Sequence, residues 1–204
     1  MTSGEMAEPD RRQRILGAAF DLFVERGYAG TTTQHIAARA RVSKRDLYAL
    51  FGDKAAIMAS CIADRSAQMS QPLRLPTPPD RAALEATLAA FGAGLAAELG
   101  QPGTVAAYRL AIAEAERAPE VARLLHSAGR MVVWQAAVDL LDACRESGLV
   151  AGDPADLANL FFAGLRLDSL LLRRLLGEAG EPEGQPAAAR AAEAARAVLA
   201  ASVR

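Results

Sequence analysis

The sequence predicts an all-α fold, with a small N-terminal three-helix head of the helix-turn-helix type and a larger helical domain behind it. Three observations carry this. Aliphatic residues and Ala dominate while aromatics make up only 5% of the 204 residues. No segment alternates apolar and polar residues as a half-buried strand does. Apolar stripes at helical spacing recur between breaks rich in Gly and Pro. A chain of this length accommodates one small head and one larger domain. The expected division is a disordered stretch over 1–9, the head over 10–54 and the larger domain over 55–204.

Asp10 is the expected N-cap of a first helix over about 11–26, with Gln13 three residues on to close a capping box. Ile15, Ala19, Leu22 and Phe23 share one face as its buried stripe, and Gly27 ends it. Thr31 or Thr32 caps a second helix ending near Ala40, Ser43 caps a third, and Asp53 caps a fourth from Lys54 to about Ser70. The segment PLRLPTPPD then breaks helix, because proline donates no backbone hydrogen bond and disfavours helix in the residue before it. Beyond it, helices are expected over about 80–99, 103–117, 119–147, 154–177 and 186–203. Gly100, Pro102, Pro119, Gly148, Pro154 and the GEAGEPEGQP loop separate them.

The stretch from Gly27 to Lys54, GYAGTTTQHIAARARVSKRDLYALFGDK, carries the functional signal. Val42, Leu47 and Phe51 are spaced to lock two short helices together. Ser43, Lys44, Arg45 and Asp46 open the second of them with polar and charged groups. A helix that reads DNA from the major groove needs that division of labour. The net charge of −1 divides in the same sense: residues 1–54 hold nine Lys/Arg against seven Asp/Glu, and the remainder fourteen against seventeen. Both lysines of the chain, Lys44 and Lys54, fall in this stretch, so positive charge gathers where phosphates would lie.

These residues resemble the N-terminal domain of the tetracycline-repressor (TetR/AcrR) family. The matching strings are AAFDLFVERGY, GTT, IA-x-x-A, VSK and LY-x-x-F with a Lys three residues on, covering about residues 11–58. The resemblance implies a DNA-binding homodimer on double-stranded DNA with an inverted-repeat operator. Two positions depart from the pattern. Arg41 stands where the family usually has Gly, in a turn that often needs a left-handed backbone. Asp46 puts a carboxylate on the reading helix, where it repels phosphate but can accept from a cytosine amino group. The strings YRLAIAEAERAPEVARLL and GLRLDSLLLRRLLG resemble, more weakly, the C-terminal domain of an AcrR-like branch, which implies an effector pocket and a dimer interface there.

On this reading the DNA-binding residues are Thr32, Thr33, Gln34, Ser43, Lys44, Arg45, Tyr48 and Lys54. Hydroxyls and free backbone N–H groups at Thr32 and Thr33 can hold a phosphate as well as cap the helix. Gln34 follows at a position where the family often has a basic DNA contact, and its amide matches adenine. Arg45 is the best base reader, since its fork fits the guanine edge. Tyr48 packs its ring and extends its hydroxyl toward the backbone, and Lys54 meets a phosphate. Arg11, Arg12 and Arg14 are divided evenly between phosphate contact and a solvated helix end, and His35 reads as an ordinary surface residue.

In the larger domain Phe91, Tyr108, His126, Arg130, Met131 and Trp134 stand out from helices made mostly of Ala and Leu. Singly, Phe91, Met131 and Trp134 read as core. As a set the six suggest an apolar pocket with a few polar groups, for a hydrophobic or amphipathic small-molecule effector. The helices at 154–177 and 186–203 are apolar on more than one face, which suits an isologous four-helix bundle between two copies. The fourth helix is expected to carry the signal, as its start meets DNA while Ile57, Met58, Cys61 and Ile62 face a core. The competing classes are an enzyme and a helical scaffold controlled by a protein partner. No nucleophile motif, phosphate loop, paired carboxylates or metal-ligand spacing is present, so no cofactor, metal or catalysis is expected. With isolated Cys61 and Cys144, no leader and no apolar run of about 18 residues, the expected location is the cytoplasm, away from membranes.

Overall fold

The computed structural model describes residues 8–74 and 76–202, and every regular element among them is helical. The α-helices are α1 (Glu8–Gly30), α2 (Thr33–Ala40), α3 (Lys44–Phe51), α4 (Lys54–Ser70), α5 (Arg81–Leu99), α6 (Pro102–Ala113), α7 (Pro119–Leu124), α8 (Met131–Glu146), α9 (Pro154–Leu165), α10 (Leu167–Leu175) and α11 (Ala187–Ala201). Single 3₁₀ turns lie at Gln71–Arg74 and Pro182–Gly184, and a π-helical turn at Leu125–Arg130. The chain forms two compact units: Met1–Arg65 with Ala106–Gly129, and Ser66–Val105 with Arg130–Arg204. The expected boundary at residue 54 therefore differs from the packing. Ile57, Met58 and Cys61 of α4 are buried in one core with the head, and so are Ala111, Ala118 and Val121.

In the first unit Ile15, Ala19, Leu22 and Phe23 form the expected buried face of α1, against Ile36, Ala37, Leu47 and Phe51. Helix α1 starts earlier than the sequence suggests. Of the stretch expected to be disordered, residues 1–7 lie outside the described residues, but Glu8 and Pro9 are helical. Proline is tolerated in a first turn, and the acidic Glu8 and Asp10 suit the positive end of the helix dipole. Asp10 is thus inside the helix rather than its cap, and the Gln13 amide donates to Asp64 at 3.2 Å instead of closing a box. At Gly27 the backbone leaves the helical region (φ 75°, ψ 168°), which glycine adopts without steric cost. The buried Thr31 hydroxyl lies 2.8 Å from the Gly27 carbonyl and 3.0 Å from that of Leu22, satisfying the break.

In the second unit α11 packs chiefly on α5 and α9, and α9 packs also on α8. Phe91, Phe161 and Phe162 form an aromatic group whose ring centroids lie 5.7–6.5 Å apart. Gly92 is required by this packing: a Cβ there would stand 2.6 Å from a Leu165 methyl and 3.0 Å from the Ala191 Cβ. Arg190, 1% exposed, donates to the carbonyls of Leu165 and Gln185 and pairs with Glu181 at 2.9 Å. It thereby fastens the 178–185 loop to the end of α9.

The larger helices are more segmented than their periodicity implies. The helix expected over 103–117 ends at Ala113. That over 119–147 is α7, the π turn and α8; only Gly129 marks the irregularity in sequence. That over 154–177 divides at Arg166, which adopts a left-handed backbone (φ 53°, ψ 38°). Helix α5 also corrects the expectation that no apolar run reaches membrane-spanning length. At 19 residues it is long and apolar enough by composition to cross a bilayer; here Leu84, Leu88, Phe91 and Leu95 lie in the core of the second unit.

Candidate nucleic-acid interface

Helices α2 and α3 are each fixed by caps. Thr32 caps α2, accepting from the His35 N–H at 3.2 Å, while the Thr32 N–H donates back to the His35 imidazole at 3.4 Å. His35 is exposed, as expected, but it completes this capping box. Helix α2 ends on Arg41 in the left-handed conformation (φ 54°, ψ 47°), the strained geometry its sequence position suggests. Ser43 caps α3, accepting from the Asp46 N–H at 3.0 Å. The Glu25 carboxylate takes both terminal nitrogens of Arg39 at 2.7 and 2.8 Å, clamping α1 to α2.

Lys44 and Arg45 are exposed at the start of α3, and no hydrogen bond or ion pair engages either among the described residues. Tyr48 is 45% exposed; its hydroxyl lies 3.1 Å from Thr33 Oγ1, and the Lys44 ammonium stands 5.7 Å from its ring centre. Gln34 is exposed beside Thr33. Thr33, Tyr48 and Lys44 thus meet across α2 and α3, and Gln34 and Arg45 are the exposed neighbours of Thr33 and Lys44 in the chain.

Two residues of the expected set are committed internally. The Ser43 hydroxyl gives its proton to Asp46 at 2.7 Å. Lys54 donates to the Tyr28 carbonyl at 2.7 Å and stands 4.2 Å over the Tyr28 ring. Burial pulls the Lys54 ammonium below its ordinary pKa, against the opposite pull of Glu114 and Glu120. The arginines of α1 are similarly engaged: Arg11 lies 3.9 Å from Asp46, Arg12 stacks 4.8 Å over Phe51, and Arg14 donates to the Ala40 carbonyl. The Ser43 hydrogen bond, with help from Arg11, holds the Asp46 carboxyl below its usual range. Asp46, which the sequence singles out as able to accept from a cytosine amino group, is folded back on its own cap, as the Ser-x-x-Asp spacing signals.

The residues expected to line an effector pocket are divided between the two units. Tyr108 and His126 belong to the first unit, and Phe91, Arg130, Met131 and Trp134 to the second. Phe91 is core, Arg130 pairs with Asp168 at the surface, and Met131 is exposed. Trp134 lies against the second core with its indole N–H on Asn159 at 3.0 Å. A small apolar cleft lies instead within the first unit, lined by Phe20, Phe23 and Val24 of α1, Met58 and Ile62 of α4, and Leu110 and Val121 among the neighbours. Both cysteines are free and buried, and burial pushes the Cys61 thiol up to about 12.

A capped pair of short helices presenting a cationic face is a helix-turn-helix head, here on a helical body. Residues 15–61 match the bacterial regulatory proteins of the tetR family, and residues 86–201 match the C-terminal domain of AefR-like transcriptional repressors. The chain is similar to a solved TetR transcriptional regulator from Agrobacterium tumefaciens, at 31% identity over 94% of each chain with a TM-score of 0.75. It is also similar to the flavonoid-responsive regulator FrrA, at 30% identity over 94% of this chain and 96% of that one, with a TM-score of 0.70. A 55-residue stretch is 38% identical to the uncharacterized HTH-type transcriptional regulator YdeS of Bacillus subtilis (strain 168), covering 27% of this chain and 28% of that protein. The chain belongs to the TetR family of bacterial transcriptional regulators.

Proposed function

We propose that this chain is a cytoplasmic, homodimeric repressor that binds an inverted-repeat operator through α3 and leaves it when a small hydrophobic or amphipathic effector binds. The observation that carries the reading is the exposed Lys44, Arg45 and Tyr48 on a helix that Ser43 caps at its start and the Gly52 N–H closes on the Tyr48 carbonyl at its end. Arg45 meets a guanine edge, and Lys44 and Tyr48 meet the flanking backbone. Dimerisation is supported by apolar side chains left uncovered on α9, on α10 and at its C-cap, with Leu160 39%, Leu172 57% and Leu176 68% exposed. A second copy of the same surface covers them in an isologous contact.

Ligand response is supported by the sharing of one core among α1, α4, α6 and α7. A ligand that repacks this core shifts α4 and with it the reading helix. To release DNA it must bind the displaced state better, and a coupling of about 1–3 kcal/mol changes operator affinity about 5–150-fold. Because FrrA is flavonoid-responsive, planar aromatic molecules are the first effectors to try. The test is a gel shift with the full chain on DNA from upstream of its own gene, with and without flavonoids. The proposal expects a salt-sensitive shift that an active compound abolishes; no shift at any salt concentration overturns it.

A further inference from the structure

We infer that Asp46 is a specificity-determining residue of the reading head, accepting a hydrogen bond from the N4 amino group of one cytosine in each half-site, and that Ser43 and Arg11 position it. This rests on the proposed DNA-reading role of α3. Asp46 sits in the first turn of that helix, next to Arg45, with its side chain 40% exposed. An ionised carboxylate only accepts hydrogen bonds, so it has nothing to offer a phosphate and repels it. Its place in a cationic face therefore needs another account than backbone contact.

The geometry around it is selective. The Ser43 hydroxyl donates to Oδ2 at 2.7 Å, fixing the plane of the carboxylate. Oδ1 faces Arg11 at 3.9 Å, close enough to offset charge but beyond a hydrogen bond. The Ser43 backbone N–H acts on the same carboxylate, yet with two lone pairs on each oxygen a site is left to accept one more bond. Among base edges in the major groove only the cytosine and adenine amino groups donate. Adenine's amino group lies between two acceptors, its own N7 and the O4 of the paired thymine, whose lone pairs repel a carboxylate, whereas cytosine's has one such neighbour, the O6 of the paired guanine, and a C–H on its other side. Guanine and thymine oppose the carboxylate with acceptors. Ser43, expected to touch DNA itself, serves here as a positioning residue because its one proton is given to Asp46.

The test is selection of bound sequences from random duplexes by the full-length protein, comparing wild type with Asp46→Asn, Asp46→Ala, Ser43→Ala and Ser43→Thr. Wild type should enrich cytosine at one position of each half-site and bind about 5–150-fold more weakly when it is replaced by thymine. In Asp46→Ala this discrimination should collapse toward onefold while affinity for random DNA rises. Asp46→Asn keeps a polar partner for Ser43 but adds donors, and should shift the preference away from cytosine. Ser43→Ala should weaken discrimination at the same position and Ser43→Thr restore it; a purely capping Ser43 would weaken all sequences alike. An inverted repeat whose base preferences survive Asp46→Ala overturns this inference alone. A wild-type protein that enriches no sequence overturns the DNA-reading proposal and this inference with it.

Discussion

Lys54 is held inside the head by Tyr28, and Lys54→Met separates that role from the phosphate contact expected of it. The substitution keeps an apolar stem of similar length and removes the ammonium. Internally it breaks the 2.7 Å bond to the Tyr28 carbonyl and the contact 4.2 Å over the Tyr28 ring. A hydrogen bond to a charged group contributes about 1.5–3 kcal/mol, and a partly exposed cation over a ring about 0.5–1 kcal/mol. The Tyr28 carbonyl keeps a second donor, the Thr31 N–H at 3.3 Å, so it is not orphaned and the cost falls at the low end. Relief of the buried ammonium works in the same direction. The expected loss is about 2 kcal/mol, or a melting temperature lower by about 4–8 °C for a chain of this size. Thermal unfolding followed by circular dichroism measures it, at matched protein concentration because the stability of the proposed dimer depends on concentration. The ammonium has two further donors for a phosphate, so the slope of log K against log salt should flatten by about one. A lowered slope with an unchanged melting temperature refutes the internal role.

Three further outcomes follow from the packing and charge described. Gly92→Ala should destabilise by up to about 2 kcal/mol, since overpacking costs about 1–3 kcal/mol against a helix-propensity gain of about 1 kcal/mol, whereas Gly94→Ala in the same helix should stabilise by about 1 kcal/mol. A Cβ at Gly94 meets nothing within 4 Å; chemical denaturation that ranks the two variants the other way contradicts the α5–α9–α11 packing. Glu181→Gln should cost toward the low end of the about 3–5 kcal/mol for breaking a buried pair, because Arg190 stays buried while Glu181 is partly exposed; a variant as stable as wild type in urea would show the pair to be dispensable. The Arg39 guanidinium hydrogen-bonded to Glu25 holds that carboxyl below its ordinary value. Its contribution to stability is therefore whole above the unfolded-state value of about 4.3 and is lost as pH falls through the lowered one. A carboxyl NMR titration should show the Glu25 midpoint rising in Arg39→Gln, and an unmoved midpoint refutes the assignment.

The head was legible because its signals are local. Caps at Thr32, Ser43 and Asp53, the apolar positions Ile15, Leu22, Leu47 and Phe51, and the left-handed turn at Arg41 all follow from residues a few positions apart. The internal partners of Lys54, Arg11 and Arg14 were not legible, since each lies more than 25 residues away. The helix breaks at Arg166 and at Leu125–Arg130 escaped for a different reason: neither contains the proline that would have announced it, and Ala/Leu-rich sequence continues through both. Phe91, Trp134 and Tyr108 are conspicuous by composition, but composition does not say which core a side chain joins. The apolar cleft draws on α1 and on residues 107–125, elements that periodicity alone assigns to different domains.

The most direct test of the account is the operator preference of Arg45→Ala compared with wild type, measured by quantitative binding to the selected inverted repeat and to each single-base variant of it. The account predicts half-site centres about one helical turn, roughly 34–36 Å, apart or wider. It also predicts a loss of about 1–3 kcal/mol on the best site from Arg45→Ala, with guanine preference gone at one position per half-site and the other positions kept. Retained guanine preference at every position, or a loss spread evenly over all sequences, would contradict the placement of Arg45 against a base edge and with it the reading face on α3.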